Sequence, residues 1–130
     1  MIAISVDVDW APDEVIEDTL ALLDQAGVCA TIFATHATPL LRGLTGHEIG
    51  LHPNFLPHPL SSCEQVFDDL HAEYPAARGV RCHSYHQSSP LLQLFARRGM
   101  AYDSNVVMFG GRGIRPFRHW NGLTRLPVFW

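Results

Sequence analysis

Ile2-Ala3-Ile4-Ser5-Val6-Asp7-Val8-Asp9 is an apolar run that closes on two carboxylates. It alternates little, so it reads as a strand covered on both faces, the kind found in parallel sheets. A helix is predicted next. Pro12 stands at its start, with Asp13, Glu14, Glu17 and Asp18 in the first turns. Proline and acidic side chains both favour that end of a helix. Val15, Ile16, Leu20, Leu23 and Ala26 form its apolar stripe, and Gly27 stops it. A second apolar run, Val28-Cys29-Ala30-Thr31-Ile32-Phe33-Ala34, completes a strand–helix–strand unit. Such a unit predicts a crossover connection and a parallel pair.

The pattern continues outward from this unit. A loop with a helical turn at Pro39-Leu40-Leu41 leads to a third strand, Glu48-Ile49-Gly50-Leu51, which runs into His52-Pro53-Asn54. Pro53, Pro57 and Pro59 make the next segment a loop. Ser61 or Ser62 is placed to cap a helix carrying Val66, Phe67 and Leu70. Gly79-Val80-Arg81-Cys82 reads as a fourth strand. Ser88 or Ser89, before Pro90, opens a helix with Leu91, Leu92, Leu94 and Phe95 that ends at Arg97-Arg98-Gly99. Met100-Ala101-Tyr102-Asp103 is a fifth strand, 109–122 a loop rich in Gly and Arg, and Leu126-Pro127-Val128-Phe129-Trp130 the start of another strand. The expectation is one α/β domain spanning 1–130, with parallel strands alternating with helices in a sheet or barrel. A chain ending on Val-Phe-Trp without a polar tail is expected to lack a C-terminal part.

Composition narrows the function classes. The 130 residues suffice for one core, and 47% apolar with 17% charged residues is a globular balance. The net charge of -4 offers no footprint for nucleic acid. No apolar run is long enough to span a bilayer, and the N-terminus lacks the basic stretch of a signal peptide. Cys29, Cys63 and Cys82 leave an odd thiol and show no CxxC spacing, which fits reduced thiols in the cytoplasm. All nine basic residues are arginine. With no lysine and no phosphate loop, a receiver-like or nucleotide-binding domain is disfavoured. Gly110-Gly111-Arg112-Gly113 lacks the strand and the Lys-Ser/Thr of such a loop.

The chemistry-bearing residues fall at strand ends, where parallel α/β folds place their sites. Asp7 and Asp9 stand two apart, on one side of a regular strand. One carboxylate can hold a cation while the other takes a proton from water. The plainer alternative is a capping aspartate beside a solvated one. His52 ends the third strand as an imidazole with irregular backbone behind it, well placed as a ligand. His47 and His58, taken alone, read as surface histidines. Arg81-Cys82-His83-Ser84 ends the fourth strand. His83 suits a third ligand or an acid/base role, and Arg81 suits a carboxylate clamp. A salt bridge and a satisfied polar histidine are the alternatives. Asp9, His52 and His83 together make a sound set for zinc with an open position.

In order along the chain, these pieces resemble the polysaccharide deacetylase superfamily, the NodB homology domain of carbohydrate esterase family 4-like proteins. Ser5-Val6-Asp7-Val8-Asp9 is similar to its first motif, Val28-Cys29-Ala30-Thr31-Ile32-Phe33 to its second strand, Glu48-Ile49-Gly50-Leu51-His52 to the strand bearing its metal histidines, and Arg81 to the arginine opening its third motif. Asp7-Val8-Asp9-Trp10-Ala11, Gly50-Leu51-His52-Pro53-Asn54-Phe55 and Arg81-Cys82-His83-Ser84 look like a branch found in O-antigen and surface-polysaccharide loci. The resemblance covers nearly the whole chain.

It implies a partial or reduced (β/α) barrel and a metal-dependent hydrolase that removes N-acetyl or O-acetyl groups from a sugar. The implied roles are base for Asp7, orienting residue for Arg81, and acid for His83 or His86. Asp9, His52 and His83 would hold a divalent ion, zinc first, with His58 the alternative third ligand. Trp10, Asn54, Ser84 and Tyr85 would meet the acetylated carbohydrate. The chain departs from the family where Val8 separates the aspartates and where Leu56 stands four residues after His52, with His58 six after it. The late leucine–histidine motif is not found before Trp130, and the missing strands are expected beyond it unless the barrel is reduced. A non-catalytic carbohydrate-binding or scaffold domain is the other reading of these departures.

Overall fold

The computed structural model describes residues 3–110 and 113–129. Ile2 of the first apolar run, Gly111 and Arg112 of the glycine-rich loop, and Trp130 of the last lie outside the described residues.

Strand β1 (Ile4–Asp7) is followed by helix α1 (Asp13–Gln25) and strand β2 (Ala30–Ala34). A one-turn helix α2 (Pro39–Arg42) leads to β3 (Glu48–Leu51). Helix α3 (Cys63–Glu73) precedes β4 (Gly79–Val80), and α4 (Ser89–Arg97) precedes β5 (Tyr102–Asp103). Four further two-residue strands close the described chain: β6 (Val107–Met108), β7 (Phe117–Arg118), β8 (Thr124–Arg125) and β9 (Val128–Phe129). The main sheet runs β1-β2-β3-β4-β5-β8-β7. It is parallel from β1 through β8, with β7 antiparallel at its edge, and β6 pairs with β9 in a separate parallel ribbon. The expected α/β architecture of parallel strands alternating with helices is therefore present.

Several details differ from the sequence reading. Segment 109–122 holds β7 rather than loop alone, because a two-residue strand leaves no period to read. Val15 faces solvent, and Ile16 is the buried residue of α1. Ser62 sits ahead of α3, but its hydroxyl donates back to the Pro59 carbonyl instead of capping the helix. Ser88 does cap α4, accepting from the Leu91 amide. Gly27 ends α1 with φ +63, a left-handed turn that costs glycine little.

The two faces of the sheet do different jobs. Ile32, Ala34, Leu51, Val80 and Cys82 join Ile16, Phe67, Leu91 and Phe95 in the main apolar core under the helices. The alternate residues point the other way. Phe33 is buried but stands outside that core. Register aligns Phe33 with Gly50 and Gly79 with Tyr102. Both glycines leave room for the ring on the next strand. A Cβ at Gly50 would lie 2.5 Å from Phe33 Cε1, and one at Gly79 would lie 2.0 Å from Tyr102 Cζ. Gly79→Ala is therefore expected to displace the Tyr102 ring and cost about 1–3 kcal/mol, as overpacking does. Urea unfolding checks this, and in a Tyr102→Ala background the penalty should vanish.

Candidate metal centre

The ring-bearing face carries a ladder of polar groups toward the C-terminal ends of the strands. Arg81 follows β4 and is buried. Its guanidinium lies 4.4 Å from the centre of the Phe33 ring, a cation–π contact. Its N–H groups have four partners: Nη1 donates to Asp7 Oδ1 at 2.8 Å, Nη2 to Ser5 Oγ at 2.8 Å and Ser104 Oγ at 3.0 Å, and Nε to the Ser104 carbonyl at 3.2 Å. A charge taken this far out of water needs such pairing. The result is a fixed Asp7 carboxylate.

One step further along, the chain leaves β1 through a tight turn. Asp9 and Trp10 have φ of 47° and 60°, and the Asp9 amide donates to Thr35 Oγ1 at 3.0 Å. Ser84 and Tyr85, past β4, repeat this left-handed pair with φ of 55° and 53°. Such backbone is costly for residues with a side chain, and it gathers at functional sites. Here both pairs flank one cluster. His52 Nε2 lies 3.2 Å from Asp9 Oδ1, and His83 Nδ1 lies 2.8 Å from the same oxygen. One donor atom from each of the three residues lies within 4.8 Å of the others. Asp7 and Asp9 keep the same side despite the strand ending between them, and Asp7 Oδ1 is 4.0 Å from His52 Nδ1.

His52 is 2% exposed. Burial pushes its pKa down, against the pull of the Asp7 and Asp9 carboxylates. A neutral imidazole is the form that binds metal. Its Nδ1 has no hydrogen-bond partner, and the Arg81 backbone nearby only partly offsets the effect of burial on the ring. Two imidazoles and a carboxylate on one point match the donors zinc takes in sites that keep a position open. The residues thus fit a divalent ion.

The remaining expected residues are placed as follows. Among the described residues, His58 stands outside the cluster, exposed on the loop after His52. His86 is half-buried just past Tyr85 and is likewise outside it. Trp10 is 51% exposed, and its ring meets that of His83 edge-on at 5.1 Å. The Tyr85 ring centre is 5.8 Å from the Arg81 guanidinium, and burial raises the phenol's pKa. Ser84 is exposed beside it. Asn54 is half-buried and accepts from the Leu56 amide through Oδ1, so that atom serves its own loop.

A buried network beside the site went unread in the sequence. Asp103 is fully buried at the end of β5. Arg125 Nε donates to its Oδ1 at 2.8 Å and Nη2 to its Oδ2 at 3.1 Å. Asn105 donates to the same Oδ2 from its amide and from Nδ2, each at 3.2 Å. Asn105 Oδ1 accepts from the Cys82 amide at 2.7 Å. The rule that found Asp9 and His52, polar residues just past a strand end, applies equally to Asp103-Ser104-Asn105. Ser5 carried the period-two signal of Asp7.

Residues 4–130 match the sequence pattern of a family described as WbmS-like polysaccharide deacetylase. Among solved structures, the chain is similar to a protein from Bordetella bronchiseptica described as a polysaccharide deacetylase involved in O-antigen biosynthesis. The two are 39% identical with a TM-score of 0.89, over 98% of this chain and 57% of that one. It also resembles a Mycobacterium smegmatis protein described as a polysaccharide deacetylase, at 22% identity and a TM-score of 0.67, over 98% of this chain and 58% of that one. The second likeness speaks to the fold alone. No curated protein matches. The chain therefore spans somewhat more than half the length of these two structures.

Proposed function

This chain belongs to the WbmS-like polysaccharide deacetylase family, and from that premise we propose that it acts as a zinc-dependent hydrolase removing acetyl groups from an amino sugar of a surface polysaccharide. The observation that carries this is the convergence of Asp9 Oδ1, His52 Nε2 and His83 Nδ1 on one point. These three would hold the ion. Bound there, a divalent metal supplies a Lewis acid for the acetyl carbonyl and makes a neighbouring water more acidic.

The protein's own groups do the rest. Arg81 fixes Asp7 through Oδ1, which leaves Oδ2 to accept the proton of the attacking water. The oxygen–carbon bond forms, the carbon–nitrogen bond breaks, and the proton held by Asp7 passes to the departing amine. An O-acetyl substrate would follow the same course with an alcohol leaving. The contact of His83 Nδ1 with Asp9 Oδ1 supports the role of ligand for His83 rather than that of acid. Trp10, half in solvent with its ring against that of His83, offers an apolar face to a sugar ring, and Ser84 and Tyr85, next to His83 in the chain, are the other side chains proposed to meet it. No described helix is long and apolar enough to cross a membrane. Cys29, Cys63 and Cys82 are all free, in keeping with a reducing, cytoplasmic setting.

The test is acetate release from acetylated amino-sugar oligomers, with N-acetyl and O-acetyl substrates in separate arms. Zinc-loaded protein is expected to release acetate and chelated protein to release none. Zinc-loaded protein that binds these sugars and leaves them acetylated would instead establish a carbohydrate-binding domain.

A further inference from the structure

Where β4 ends, its backbone needs partners on both sides. Toward β3, the Arg81 amide donates to the Leu51 carbonyl at 2.9 Å, and the His83 amide to the Pro53 carbonyl at 3.0 Å. Toward β5 the pairing changes character. The Ser104 amide still donates to the Val80 carbonyl at 2.8 Å. The Ser104 carbonyl, however, is taken by Arg81 Nε. The Cys82 amide is met by the side chain of Asn105. A side-chain oxygen thus stands where a continuing strand would have offered a backbone carbonyl.

Asn105 is 1% exposed, and nothing in its surroundings lets it turn freely. Its Oδ1 holds Cys82, while its Nδ2 and its own amide are both fixed on Asp103 Oδ2. Asp103 is held in turn by Arg125. Immediately beyond Cys82 comes His83, and then the left-handed pair Ser84 and Tyr85. A rotation about the backbone at Cys82 would swing the His83 imidazole away from Asp9.

We propose that Asn105 is a positioning residue for the metal centre: by fixing the Cys82 amide it sets the direction in which the chain leaves β4, and so the meeting of His83 Nδ1 with Asp9 Oδ1. This rests on the reading of Asp9, His52 and His83 as ligands. Asn105 touches neither ion nor substrate. It acts through the backbone, as the outer partners of metal ligands commonly do through hydrogen bonds.

Cobalt(II) titration of the metal-free protein tests this, because cobalt reports both affinity and coordination geometry. The variants are Asn105→Ala and, as a control for lost stability, Leu94→Ala, which empties a core position on α4. Both are measured well below their unfolding temperatures. Asn105→Ala is expected to weaken cobalt binding by about tenfold or more and to dim its tetrahedral absorption bands. Leu94→Ala should keep the wild-type spectrum and an affinity within about twofold, since distant sites act independently. In a His83→Ala background the effect of Asn105→Ala should disappear. If Asn105→Ala does not fold, Asn105→Ser carries the same comparison, its shorter side chain falling short of Cys82. An Asn105 variant that binds cobalt like the wild type, or no worse than Leu94→Ala, overturns the inference. A wild-type protein that takes up no cobalt would overturn the metal centre itself, a distinct result.

Discussion

Asp7→Asn is expected to leave one zinc ion per chain and to lower turnover about 10²–10⁴-fold, the range of a lost general base. The substitution is nearly isosteric. Arg81 Nη1 can still meet an oxygen at position 7, so the clamp with Ser5 and Ser104 is kept. Asp7 is also outside the three donors that converge, with its Oδ1 4.0 Å from His52 Nδ1. Only the capacity to accept a proton is removed. Zinc content and turnover measured on the same preparation separate this from loss of metal. A fall smaller than about tenfold with zinc retained would take the base role away from Asp7.

The second large effect concerns stability. Arg125→Met is expected to cost about 3–5 kcal/mol, because it leaves a buried carboxylate without its cation. Asp103 is fully buried, and Arg125 is its only guanidinium partner among the described residues. Asn105 would still donate to Asp103 Oδ2, but neutral donors do not replace a charge. Exposed pairs such as Arg97–Glu64 should each be worth no more than about 1 kcal/mol when broken. Denaturant unfolding of Arg125→Met, and of the double variant Asp103→Asn with Arg125→Met, checks the cause. The double variant should recover much of the loss. A single-variant loss in the range of exposed pairs would mean that water reaches Asp103.

Much of the fold could be read from local pattern. The unit from Ile4 through Ala34 shows its apolar runs, its acidic helix start and its Gly27 stop within short windows, and each of those signals is local physics. Of the strands past Asp103, β9 lies in the apolar run Leu126-Pro127-Val128-Phe129 that the sequence marks, whereas β6, β7 and β8 could not be read in this way: they are two residues long, and a strand of that length carries no alternation. They exist because neighbours in space pair with them.

The candidate site divides along the same line. Asp7, Asp9 and His52 stand at strand ends that the sequence marks, so their shared edge could be anticipated. The choice between His58 and His83 could not be made from spacing. His58 is six residues from His52 and His83 is thirty-one, yet it is the distant one that the β4 exit brings to Asp9. Parallel neighbours align residues far apart in sequence, so nearness along the chain carries little information here. Arg125, twenty-two residues from Asp103, was missed for the same reason. Asp103 and Asn105 stand only two apart, and the strand-end rule that marks Asp9 and His52 marks them as well.

Zinc stoichiometry is the most direct measurement. Protein stripped of metal, incubated with zinc and freed of excess is expected to retain one ion per chain. Asp9→Ala and His52→Ala, both folded by circular dichroism, should retain none. Full zinc in both variants would mean that the carboxylate and the imidazole meet for some purpose other than holding an ion.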